Sequence, residues 1–154
     1  MKVNEIDDFD LKILTLLQAD GRLTNQELSD LVGLSASQCS RRRIALEQAQ
    51  LILGYHARLA PQAMNLEVVA MVEVKLISHR PEHSDGFQGF IATETAIIDA
   101  YKTTGDADYN LKAAVADLAT LNQLMGRISA TNCVSYLKTS VVLERLKENN
   151  IVTA

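Results

Sequence analysis

Ser35, Ser37, Gln38 and Ser40 stand immediately ahead of three consecutive arginines, Arg41-Arg42-Arg43. These are side-chain types that engage a nucleic-acid duplex. Guanidinium groups pair with phosphates or donate two hydrogen bonds to guanine, and short hydroxyls reach phosphate oxygens. Gln38 can read adenine with its amide or be spent on capping a helix. Successive helix positions turn by about 100°, so three adjacent arginines cannot share one direction. One or two of them are expected to touch DNA, and the third to pair with an acidic residue or lie along the helix.

A second grouping is Gly105, Asp106 and Asp108. Gly and Asp are the ordinary residues of a hairpin turn. The same types can also hold a free amino acid, with loop N–H groups on its carboxylate and an Asp carboxylate on its ammonium. Thr139 and Ser140 either complete such a site or are plain strand hydroxyls. No GxSxG, P-loop or HExxH pattern occurs, and Asp106 with Asp108 is too thin a basis for acid–base chemistry, so no enzyme is expected. His79 and His83 are four apart, but Pro81 lies between them and argues against one helix face. No metal site and no cofactor is expected. Cys39 and Cys133 are isolated and read as reduced, buried thiols of a cytosolic protein.

The 154 residues carry 47% hydrophobic and 22% charged side chains, which argues for packed cores and against disorder. No apolar run is long enough for a membrane span. The amino-terminal MKVNEIDDFD is acidic and lacks an apolar signal core, so a cytoplasmic location is expected. The formal charge of -4 weighs against nucleic-acid binding. Residues 1–54 hold six Lys/Arg against eight Asp/Glu, so the arginine run must supply a local positive patch. Weak phosphate neutralisation by one subunit is offset when several subunits bind together.

The elements that must position these residues follow from spacing. Asp7 and Asp10 open a helix in which Ile6, Phe9, Ile13, Leu16 and Leu17 recur at helical intervals, and Gly21 closes it. Thr24 with Glu27, and Ser35 with Gln38, have capping-box spacing, and Gly33 between them can stop a helix. Leu28 and Leu31 give the second helix an apolar side, and Cys39 and Leu46 serve the third. Two capped helices joined by a glycine turn, the second one basic, make a helix-turn-helix. Beyond residue 67 the pattern predicts a strand at 68–77, a helix at 83–94, strands at 96–103 and 109–116, a helix carrying Leu118, Leu121, Met125 and Ile128, and a long strand at 133–146. That order, β-α-β-β-α-β, is ferredoxin-like. The chain is therefore expected to be α+β: a three-helix helix-turn-helix domain at 1–50, a linking strand or hinge at 51–66, and a ferredoxin-like domain at 67–154. Two helices cover one face of such a sheet. Apolar residues on both faces of 68–72 and 141–143 then call for a second copy against the other face, so at least a homodimer is expected.

This arrangement resembles the leucine-responsive regulatory protein/AsnC family of prokaryotic transcription regulators. The resemblance runs through Asp7-x-x-Asp10 before Ile13-Leu14, Asp20-Gly21-Arg22-Leu23-Thr24-Asn25, Gly33-Leu34-Ser35, Cys39 with Arg41-Arg42, Leu46-Glu47, Gly54-Tyr55, Thr104-Gly105-Asp106-x-Asp108-Tyr109 and Val141-Val142-Leu143-Glu144. It implies a DNA-binding helix from Ser35 to Glu47, with dimer symmetry setting half-sites about 34 Å apart. It also implies dimers assembled into tetramers or octamers, and an amino-acid effector bound between carboxy-terminal domains near Thr104, Gly105, Asp106, Asp108 and Tyr109. The chain departs from the family pattern at Gln50, where a Gly is common, at Arg43, where an apolar residue is usual, and at Leu137, where relatives have Thr. A different class of function competes with this one: an oligomeric amino-acid sensor or scaffold that does not bind DNA.

Overall fold

The computed structural model describes residues 6–147, which divide into two compact units, one reaching Arg58 and the other beginning at Leu59. The first unit holds α1 (Asp8–Ala19), α2 (Asn25–Val32) and α3 (Ala36–Gln48). Each helix starts with a reciprocal capping box. The Asp7 carboxylate accepts from the Asp10 N–H, the Thr24 hydroxyl from the Glu27 N–H, and the Ser35 hydroxyl from the Gln38 N–H, with the third helical side chain reaching back each time. Such a cap is worth about 1 kcal/mol. Helix α2 stops at Gly33, whose φ of 84° is the left-handed conformation that glycine adopts without strain.

Ile13, Leu17, Leu28, Val32, Cys39 and Leu46 form the buried centre of this unit. Two residues expected there lie elsewhere. Leu31 is half exposed, because Val32, one turn after Leu28, takes the inward position. Phe9 is 41% exposed and lies beneath the Arg42 guanidinium. Of the linking strand or hinge expected at 51–66, no residue lies in a strand of the described chain, and a short 3-10 turn forms at Pro61–Met64.

The second unit is a four-stranded antiparallel sheet in the order β2-β3-β1-β4, with β1 (Val68–Leu76), β2 (Ile97–Lys102), β3 (Tyr109–Val115) and β4 (Val134–Val141). Helices α4 (Pro81–Thr93) and α5 (Leu118–Ser129) bury Phe87, Leu121, Leu124 and Ile128 against Val72, Val74, Leu111 and Ala113. This is the ferredoxin-like arrangement. Helix α4 begins at Pro81, ahead of the expected start at His83, because proline suits the first helical turn, where no N–H is needed. Leu118, expected in the apolar stripe of α5, is 63% exposed, one turn outside the buried set.

The last strand is shorter than its sequence suggests. Its Val141 pairs with Ala70, and after one further hydrogen bond, from the Val142 N–H to the Val69 carbonyl, β1 has little left to pair with. Residues 142–147 have no strand structure, and residues 148–154 of the expected domain lie outside the described residues. The sheet face away from the helices is mixed rather than apolar throughout. It carries Met71, the ion pair of Glu73 with Lys138 at 2.9 Å, and Tyr136.

Candidate nucleic-acid interface and effector hairpin

The capping box fixes the start of α3 and decides what its first residues can do. The Gln38 side-chain oxygen accepts from both the Ser35 N–H and the Ser35 hydroxyl, each at 3.0 Å. Reading adenine with two bonds needs that oxygen as well as the amide nitrogen, so capping and bidentate reading exclude each other. Ser35 and Ser37 hydroxyls lie 3.1 Å apart on the exposed side, and Ser40 is partly buried.

The arginine run splits three ways. The Arg41 side chain is exposed and takes part in no hydrogen bond or ion pair among the described residues. Arg42, expected to face DNA, is turned toward α1 instead. One of its nitrogens lies 2.8 Å from Asp7 and 2.8 Å from Asp10, whose side chain is 3% exposed. A buried carboxylate requires a cation, and Arg42 is one helical step from the exposed Arg41. The hydrogen bonds it donates to Asp10 and then to Asp7 raise Arg42 above the ordinary guanidinium value. Asp7 is lowered, first by the Asp10 backbone N–H and then by Arg42.

Arg43, where the resemblance implies an apolar residue, leaves no unpaired charge. Its Nε donates to the Tyr55 hydroxyl at 2.9 Å and a terminal nitrogen donates to the Leu23 carbonyl at 2.9 Å. The guanidinium also sits 4.6 Å over the Tyr55 ring. Arg22, in the turn before α2, belongs to the motif at residues 20–25 but carries no DNA role in the sequence reading. Its side chain is 93% exposed, with a 3.3 Å contact to Asp20. A cation in the turn beside the helix-turn-helix is the signal that could have flagged it.

In the second unit the β2–β3 loop closes through the Thr103 N–H, which donates to the Asp108 carbonyl at 3.0 Å. Thr104, Gly105 and Asp106 are exposed at its tip. The other four expected site residues are occupied within the fold or divided between the two faces of the sheet. Asp108 is spent on the sheet: its carboxylate accepts from the Leu76 N–H at 2.8 Å and lies 3.4 Å from His79 Nε2. Tyr109 is 4% exposed, its ring tilted against Phe87 and its hydroxyl accepting from Gln88. Thr139 pairs with buried Val72 and donates to the Met125 sulfur, whereas Ser140 pairs with Met71 on the opposite face. Alternation along a strand prevents both hydroxyls from lining one site.

Asp106 does border a concave surface. A groove of about 500 Å³ is lined by Glu73, Lys75, Asp106, Ala107, Tyr136 and Lys138 together with Val74. Glu73 raises the Lys138 ammonium above its ordinary value by hydrogen bonding and charge. Two ammonium groups, two carboxylates and a phenol form a bipolar lining that can match a zwitterion. Alternation could have placed Glu73 with Lys75, but their closeness to Tyr136 and Lys138 depends on the β1–β4 register.

Comparison with known proteins bears on both units. The AsnC-type helix-turn-helix domain matches residues 6–47, and the Lrp/AsnC ligand binding domain matches residues 69–152. The chain is 34% identical over 148 residues to a leucine-responsive regulatory protein of Haemophilus influenzae, covering 96% of this chain and 89% of that one. It is 34% identical over 151 residues to a proline dehydrogenase transcriptional activator of Rhizobium radiobacter, covering 97% of each. A transcriptional regulator of Neisseria meningitidis solved with L-Met superposes with a TM-score of 0.90 at 31% identity, covering 96% of each chain.

Proposed function

The chain belongs to the Lrp/AsnC family of transcription regulators, and from that membership we propose which of its residues carry regulation. Helix α3 enters the major groove of duplex DNA. Ser35, Ser37, Ser40 and Arg41 face it, the Gln38 amide nitrogen supplies a single donor, and Arg22 reaches a backbone phosphate. Arg42 holds the helix in place and does not touch DNA. The observation that carries this reading is the division of labour in the arginine run: one guanidinium is exposed and, among the described residues, unpaired, while its two neighbours are bound within the protein. The regulator acts in the cytoplasm as a homodimer or a larger assembly of dimers, so that several units, each with only a small positive patch, engage DNA together.

The effector is an amino acid held at the carboxy-terminal unit by the tip Thr104-Gly105-Asp106 and by the bipolar groove beside it. Asp108 and Tyr109 support that tip from within the fold. Ser140 is the strand hydroxyl on the groove's side of the sheet. To regulate, the amino acid must bind two states of the assembly unequally.

Fluorescence anisotropy on a random duplex tests the DNA reading. Affinity must fall steeply and log-linearly as salt rises. A protein that binds no duplex at low salt is the sensor or scaffold instead. A thermal-shift panel of the twenty amino acids tests the effector reading: at least one must raise the melting temperature, and Asp106→Ala must abolish that rise without changing DNA affinity. Equal responses in the two proteins remove Asp106 from the site.

A further inference from the structure

Tyr55 is the point at which the chain is fastened before it leaves the first unit at Arg58. Its hydroxyl accepts from Arg43 Nε at 2.9 Å and donates to Glu47 Oε1 at 2.8 Å, while Arg43 and Glu47 approach each other at 3.4 Å. Arg43 also bonds the Leu23 carbonyl, so the same guanidinium ties α3 to the turn before α2. Two glycines permit this docking. Gly54 takes a φ of 151°, and a Cβ there would meet His56 at 2.7 Å; a Cβ on Gly21 would lie 3.1 Å from the Tyr55 ring. Burial raises the Tyr55 hydroxyl above its ordinary value, so it stays a neutral donor at physiological pH.

Arg43, Glu47 and Tyr55 therefore join the carboxy-terminal half of α3 to the first residues of the linker. We propose that they act as positioning residues. Their clamp fixes the direction in which the linker leaves the DNA-binding unit and thereby sets the half-site spacing that a dimer accepts. The proposal rests on the reading of α3 as the DNA-reading helix. A helix that reads one half-site correctly still fails on the second if its exit direction is wrong, because bivalent binding is lost when geometry forbids simultaneous contact. Tightly docked linkers make spacing strict, and loose ones make it permissive.

The test uses the full chain and duplexes built from a half-site enriched from random DNA by the wild-type protein. One duplex carries a single half-site. Others carry two, with centres varied by single base pairs around one helical turn of about 10 base pairs. For the wild type, displacement from the best spacing lowers affinity on the order of 100-fold, the scale of lost bivalency. Tyr55→Phe keeps the ring and its stacking but loses both hydroxyl bonds. It binds the single half-site within about twofold of wild type, and its spacing penalty shrinks to about tenfold or less. Arg43→Lys, which cannot reach Tyr55 and Leu23 together, flattens the profile in the same way. Unchanged spacing profiles in both variants overturn the clamp while leaving the DNA reading intact. Failure of the wild type to enrich or bind any duplex overturns both.

Discussion

Replacing Arg42 with alanine separates a strut from a DNA contact. Arg42 is 30% exposed at its side chain and makes two 2.8 Å charged contacts, one of them to Asp10, which is 3% exposed. Exposed ion pairs contribute about 0–1 kcal/mol, whereas breaking a buried one costs about 3–5 kcal/mol. With one end buried and the other partly wet, the Asp10 contact falls between these limits. We expect Arg42→Ala to cost the first unit about 2–3 kcal/mol, most of it from leaving Asp10 buried without its cation. The assay is native-state hydrogen exchange read by mass spectrometry, since it reports each unit separately. At about 1.4 kcal/mol per factor of ten, core amides of α1 and α3 should exchange roughly 30- to 150-fold faster. Amides of β1 and β3 serve as the internal reference and should not change. Pairing Arg42→Met with Asp10→Leu should recover much of the loss, because an apolar pair requires no counter-charge. Exchange in α1 within about threefold of wild type would refute the reasoning. A matching fall in DNA affinity would then return Arg42 to the groove.

Arg41→Ala should leave hydrogen exchange unchanged and lower DNA affinity; if Arg41 meets a phosphate, the slope of log affinity against log salt falls by about 1 in a salt titration. Gln50 occupies the left-handed region after α3, with a φ of 57°, so Gln50→Gly should stabilise the first unit by about 0.5 kcal/mol in urea unfolding. Glu94 is held below its ordinary value of 4.5, chiefly by its hydrogen bond from Arg127 at 2.8 Å. A carboxylate with a lowered folded value stabilises the protein above the ordinary value and loses that contribution as pH falls through the folded one. Urea midpoints should therefore drop on acidification below about pH 4.5, less steeply in Glu94→Gln than in wild type.

Local signals in the chain were enough for the secondary structure and the two folds it builds. Thr24 with Glu27, Ser35 with Gln38, and Gly33 are short-range devices whose partners lie three residues away, so the sequence alone locates the helix starts and the turn. Alternation in residues 68–77 puts Val72, Val74 and Leu76 on one face, and the structure buries all three. Strand and helix ends were less legible, because they depend on partners. The strand expected to reach residue 146 stops at Val141, where β1 has little more to pair, and residues 51–60 have no ladder partner in the described chain.

What the tertiary structure alone decided is the direction of each functional side chain. Three identical arginines in succession carry no local label. Arg42 was claimed by Asp10 from thirty-two positions away, Arg43 by Tyr55 from twelve, and Arg41 was left to solvent. The groove beside Asp106 formed in the same way, from Glu73 and Lys138 brought together by strand register. Helix propensity and capping act over a few residues and are written in the sequence, whereas a buried carboxylate's need for a cation is met only after distant elements have packed.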